Sequence, residues 1–188
     1  MARLVLASGS QRRLDLLAQI GIVPDRVFTP NIDETPAPEE TMRRLALRLA
    51  HAKVASVDDD GFVLAADTVV AVGRRILPKT ETAAEAGKCL ALLSGRRHRV
   101  CTAVVVRAPD GRRAERLAES TVVFARLTDA QQLAYLASQE WHGKAGGYAI
   151  QGLAGGFVRF LSGSYSGVVG LPLFETSQLL RGLGWPIA

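Results

Sequence analysis

An α/β fold with a mixed sheet is predicted by three observations. Short apolar or β-branched runs alternate with segments of helical periodicity along the chain. The first such unit is a strand, a polar loop and a helix in succession, and Asp110-Gly111 between two long strand-like runs marks an antiparallel hairpin.

The elements follow in order. Residues 3–7 are a short apolar strand, and residues 12–20 carry Leu14, Leu16, Leu17 and Ile20 at helical spacing until Gly21 stops them. An extended segment at 26–29 leads through a proline-flanked loop, 30–38, into a long helical pattern over 39–56 that Asp58, Asp59, Asp60 and Gly61 end. Residues 62–66 and 68–72 are apolar runs on either side of Asp67, and Gly73 and Arg74 turn the chain into Ile76 and Leu77. Residues 82–93 form a helix, with Thr82 as N-cap and Glu85 completing a capping box. The hairpin strands cover 101–107 and 117–126, a helix covers 129–138, a glycine-rich stretch runs from 143 to 156, and the last helix covers 173–183.

With 188 residues, no internal repeat and no linker, the chain is expected to form one domain of two lobes. Hydrophobic residues make up 48% of it, yet charges interrupt every apolar run before the roughly 18 to 20 residues that cross a bilayer. The N-terminal residues show no secretory h-region, and Cys89 and Cys101 read as buried hydrophobes without zinc-ligand spacing, so a cytoplasmic location is expected. The net charge of +5 points to phosphate-bearing partners, either nucleotides or nucleic acid. Six per cent aromatic residues leave no obvious base-stacking platform, which weakens the nucleic-acid reading.

Three segments carry chemistry. In Leu6-Ala7-Ser8-Gly9-Ser10-Gln11-Arg12-Arg13 a strand runs into small hydroxyl residues and two guanidinium groups at a helix start. Unsatisfied backbone N–H groups, the helix dipole, the Ser8 and Ser10 hydroxyls and the bidentate Arg12 and Arg13 all suit phosphate, although an ordinary serine cap beside surface arginines has the same letters. No Walker A ending follows. The lone carboxylate in Ala66-Asp67-Thr68 interrupts an otherwise buried strand and needs a cation, a metal or a cleft; a buried aspartate that caps a turn weighs equally on this segment alone. Asp33-Glu34 and Lys79 fall in loops beside strand ends, where open α/β sheets place ligands. Lys53, near the end of its helix, reads by itself as a solvent-facing lysine favoured by the dipole. The third segment, Gly143 to Gly156, is glycine-dense but anchored by Tyr148, Ile150 and Phe157, so it is expected to be ordered. His51, His98 and His142 lie in no triad pattern and read as structural.

Taken in this order, these segments resemble the Maf family of house-cleaning nucleotide pyrophosphatases. The resemblance rests also on Leu93-Ser94-Gly95 with His98, on Lys144-Ala145-Gly146-Gly147-Tyr148-Ala149-Ile150-Gln151-Gly152, on Gly163-Ser164-Tyr165 and on Val169-Gly170-Leu171-Pro172-Leu173, and spans nearly the whole chain. It implies an elongated mixed sheet with flanking helices, two lobes around a nucleotide cleft, and hydrolysis between the α- and β-phosphates. The segment around Gln151 is similar to the branch acting on dTTP and UTP, with Arg12, Thr68 and Gln151 at the specificity positions and Asp67 as proton acceptor. The chain departs from the family pattern at Gln11, where proline is usual, and at Pro78-Lys79-Thr80 in place of glycine-lysine-proline.

The expected mechanism has magnesium or another divalent cation held by Glu34 or Asp67. Arg12, Arg13, Lys53 and Lys79 would stabilise the triphosphate, and Gln151 and Thr68 would read the pyrimidine. The partner is then a small nucleotide, with no stable nucleic acid and no membrane, and the family resemblance suggests a homodimer. The rival is a non-enzymatic regulator of cell division that binds nucleic acid or a septum protein.

Overall fold

The computed structural model describes residues 2–186. In chain order the elements begin with β1 (Leu4–Ala7), α1 (Gln11–Gln19), β2 (Arg26–Phe28), α2 (Met42–Ala55), β3 (Phe62–Val72), β4 (Arg75–Leu77), β5 (Lys79–Thr80) and α3 (Ala83–Leu93). They continue with β6 (Arg97–Arg107), β7 (Arg113–Phe124), α4 (Asp129–Ala137), β8 (Lys144–Ala145), a 3-10 turn (Leu153–Phe157), β9 (Val158–Ser162), α5 (Tyr165–Val169) and α6 (Leu173–Gly182). None of the helices among the described residues is long and apolar enough to cross a membrane.

Seven strands form a mixed sheet in the order β2-β1-β3-β6-β7-β9, with β4 added beside β3. β1 runs parallel to β2 and β3, whereas β3, β6, β7 and β9 are joined antiparallel. At about 3.3 Å per residue, the 11 residues of β3 extend the sheet to roughly 35 Å.

Alternation along β3 explains why its sequence is apolar throughout. Phe62, Leu64, Ala66 and Val70 join a core with Leu16 and Leu17 of α1, Leu90 and Leu93 of α3, and Leu179 and Leu180 of α6. Val63, Ala65, Val69 and Ala71 point the other way, into a second core with Leu45, Ala46, Leu49 and Ala50 of α2. Helices cover both faces, so neither row of side chains meets water.

Several expectations change at this point. Asp67 does not separate two runs; β3 continues through it as one strand. The long helix starts at Met42 instead of 39, because Glu39 takes a positive φ of 58° and Thr41 supplies the capping hydroxyl. The hairpin strands are longer than predicted: Arg97↔Val123 and Arg107↔Arg113 pair at its two ends, so the polar starts of β6 and β7 belong to the ladder. The capping box of α3 is present, with Thr82 and Glu85 bonded reciprocally.

One break in the sheet positions everything that follows. β1 pairs with β3 only as far as Leu6↔Leu64, and β4 takes up the same strand from Val70↔Leu77 onward. Residues 65–69 of β3 therefore have no strand beside them on that edge among the described residues. Asp67 and Thr68 lie in this gap, one facing each side of the sheet.

Candidate active site

At the end of β1 the chain turns through Ser8, Gly9 and Ser10 directly into α1, beside the gap in the sheet. Ser10 occupies the N-cap position yet makes no side-chain cap, in contrast to Thr41, Thr82, Thr128 and Ser164, whose hydroxyls cap their own helices. The start of α1 thus keeps donor capacity for an anion. A Cβ at Gly9 would lie 2.9 Å from Thr29 Oγ1, so any larger residue would have to displace the Thr29 side chain. Arg13 is buried and held in place: its Nη1 donates to Ser8 Oγ at 2.9 Å and its Nε to the Gly170 carbonyl at 2.9 Å.

On the α2 side of the gap, Asp67 is 2% exposed and Lys53 is 5% exposed. Lys53 Nζ lies 2.5 Å from Asp67 Oδ1 and 2.9 Å from Glu34 Oε1. Glu34 also accepts from Lys79. Lys53 is therefore not the solvent-facing lysine that its helix position suggested. The last turn of α2 packs over β3 and aims this ammonium at the carboxylate, an arrangement that answers the desolvation of both charges.

The charges shift one another. Burial pushes the Glu34 carboxyl up, but Lys79 and Lys53 together outweigh it and hold Glu34 below the usual carboxylate range. Burial lowers the Arg13 guanidinium against the opposing pull of Asp67 and Glu34. Arg12 falls to about 10, through desolvation first and repulsion from Arg13 second.

The other wall comes from the small β5–β8 ladder, in which Lys79 pairs with Ala145 and Thr80 with Lys144. Between the walls lies a cleft of about 430 Å³, to which Ser8, Ser10, Arg12, Arg13, Glu34, Lys53, Asp67, Thr68 and Lys79 all contribute. Nine of the residues singled out from the sequence thus meet in one place. Gln151 does not join them: it is exposed and outside the cleft lining, since Tyr148, Ala149 and Ile150 turn inward and leave it at the outer tip of an Ala149–Gly152 turn.

The structure adds residues to which the sequence reading gave no role in the site, His142 among them, which had read as structural. Lys144 and His142 line the cleft, and Val70, Tyr148, Val168 and Val169 give it an apolar side. Buried Thr102 on β6 stands opposite Thr68 and bonds its hydroxyl at 2.9 Å. Strand register alone brings Thr102 there, and that register cannot be read from the local sequence. Among the described residues no three His, Cys, Asp or Glu side chains converge on one point, and Glu34 and Asp67 are the carboxylates of the cleft lining.

The profile of Maf-like proteins matches residues 3–183. The chain belongs to the Maf family. The dTTP/UTP pyrophosphatase of Granulibacter bethesdensis is 62% identical over 199 residues, covering 97% of this Maf chain and 93% of the relative. That of Caulobacter vibrioides is 63% identical over 185 residues, covering 97% and 96%. The solved Staphylococcus aureus Ham1 protein shares 19% identity at a TM-score of 0.46, over 65% of this chain and 72% of that one. At the Maf position usually held by proline, Gln11 opens α1 and donates to Asp15 Oδ1 at 2.9 Å, a bond one turn along that supports the helix start in another way.

Proposed function

We propose that this Maf protein hydrolyses dTTP and UTP between the α- and β-phosphates, yielding the nucleoside monophosphate and diphosphate. One observation carries the proposal: a helix start with an unused cap and two arginines shares a 430 Å³ cleft with a buried carboxylate–lysine pair. The first part suits a polyphosphate and the second suits attack on phosphorus. The names of the relatives supply the choice of nucleotide.

In this reading Arg13, fixed by Ser8 and Gly170, and Arg12 receive phosphate oxygens, while Lys79 and Lys53 offset the charge that builds up on the leaving diphosphate. Asp67 orients the attacking water and accepts its proton. Glu34 and Asp67 line the cleft and offer hard oxygens, so they are the residues that would hold a divalent cation, magnesium by chemistry. When bound it would supply further neutralisation of phosphate charge. The same carboxylates disfavour the rival of a nucleic-acid-binding regulator, since they would repel a phosphate backbone lying in the cleft.

The test is diphosphate release from dTTP and UTP, with and without magnesium, by wild type and Asp67→Asn. The variant is expected to lose roughly 100- to 10,000-fold in kcat with an unchanged circular dichroism spectrum. Undiminished turnover would remove Asp67 from the chemistry.

A further inference from the structure

Glu34 sits on a segment, residues 29–41, that forms neither helix nor strand, yet its carboxylate meets Lys53 Nζ at 2.9 Å and also accepts from Lys79. Two anchors flank it. Before Glu34, Ile32 packs on the second core. After it, Arg48 Nη2, from the middle of α2, donates to the Thr35 carbonyl at 3.0 Å. Among the described residues this is the one hydrogen bond from a helix or strand to the backbone of residues 30–38.

Arg48 is itself held in place. Its Nε donates to Glu40 Oε1 and its Nη2 to Glu40 Oε2, both at 2.8 Å, and Glu40 Oε2 accepts in addition from Ala37 N at 2.9 Å. The Glu40 side chain is 8% exposed. A planar guanidinium in two-pronged contact with a nearly buried carboxylate is the geometry in which an ion pair near the surface holds firmly. Asp33 Oδ1 closes the segment from within by accepting from Thr35 N at 2.9 Å. One side chain of α2 thus grips the chain at Thr35, directly beside Glu34, and again at Glu40, while Lys53 rides on the same helix.

The ion pairs of Glu34 cannot replace this grip throughout turnover. In the function proposed above Lys53 and Lys79 serve the phosphates and Glu34 offers its oxygens to a divalent cation, so those pairs loosen when nucleotide binds. Arg48 and Glu40 lie outside the cleft lining, and their contacts stay as they are. We infer that Arg48, braced by Glu40, is a positioning residue that holds Glu34 at the cleft once its lysine partners turn to the nucleotide. The inference rests on the nucleotide function proposed above and adds to it the device that keeps the loop carboxylate in register with α2.

The test uses the whole chain with Arg48→Lys, which keeps the charge but not the planar fork, and with Glu40→Gln. Whichever way that amide turns, its NH2 group faces a donor, either Arg48 or the Ala37 N–H. Thermal melts verify folding. Backbone order parameters of residues 33–37, measured by NMR without nucleotide, should fall in both variants from about 0.85 toward 0.6. Unchanged order parameters would overturn the inference. Calorimetric binding of α,β-methylene-dTTP with magnesium, which resists cleavage between the α- and β-phosphates, gives the second readout. Arg48→Lys should weaken it roughly 10-fold in wild type but less than about 2-fold in Glu34→Gln, where the carboxylate that Arg48 places is already gone. Equal weakening in both backgrounds, or none in the first, would overturn the inference and leave Arg48 as framework. Failure of wild type to bind or cleave dTTP counts against the proposed function alone, and the order parameters then decide whether Arg48 anchors the loop.

Discussion

His98 is 1% exposed in β6, with Nε2 2.8 Å from the Tyr148 hydroxyl and Nδ1 buried with no hydrogen-bond partner among the described residues. Burial lowers its pKa from 6.5 to about 4. The unfolded chain takes a proton below about pH 6.5, while the folded chain refuses it until about pH 4. Between those values the unfolded state binds more protons, so this residue's contribution to stability falls as pH falls, by about 3 kcal/mol in all. Urea unfolding of wild type and His98→Gln at pH 7, 5.5 and 4 should show the variant losing less stability on acidification. Parallel pH curves would mean that His98 is charged in the fold. The sequence marked His98 as structural without reaching this role, because its partner lies 50 residues away on the wall of the cleft. Lys53 misled for a related reason: its place in the last turn of α2 was readable, but the strand beneath it was not.

At the scale of elements, local signals succeeded where one segment contains its own explanation. The α3 capping box and the Asp110-Gly111 hairpin need no distant residue, and both are present. The ladder of β5 with β8 has only two residues per strand and joins positions 64 and 66 apart in sequence, so it has no periodicity to detect. β9 was missed within the sequence after the glycines, although it completes the edge of the sheet. Gly146 connects this ladder to the sheet. Its φ is +67°, its N–H bonds the Pro78 carbonyl at 2.9 Å, and a Cβ would lie 2.9 Å from Val70 Cγ1. Gly146→Ala should therefore destabilise the protein by about 1–3 kcal/mol and raise KM by displacing the Lys79 wall. Adding Val70→Ala should recover the steric part and leave the backbone strain, as chemical denaturation of the double variant would show. Full recovery would mean that φ carries no strain here.

Across the whole molecule, the cleft exists because β1 stops before β3 does, and it is positive because its cations outnumber its two carboxylates. Neither condition could be read from one segment; the phosphate loop, Asp67, Glu34 and Lys79 were recognisable singly, and only their company in the fold made a site. Among the described residues Arg12 and Lys144 form no ion pair, although both line the cleft. Desolvation first, and Arg12 second, lower the Lys144 pKa, so the Lys144 charge is costly until an anion arrives between the walls. A triphosphate entering such a field is drawn in by charge that salt screens over about 10 Å at 0.1 M. KM for dTTP should therefore rise several-fold between roughly 0.05 and 0.5 M salt, with kcat changing less. Lys144→Met should raise KM about 5-fold at low salt, as expected for the loss of one partly exposed charge contact, and flatten the salt dependence. A variant that lowers kcat and leaves the salt slope unchanged would place Lys144 in the ladder's architecture instead of in its field.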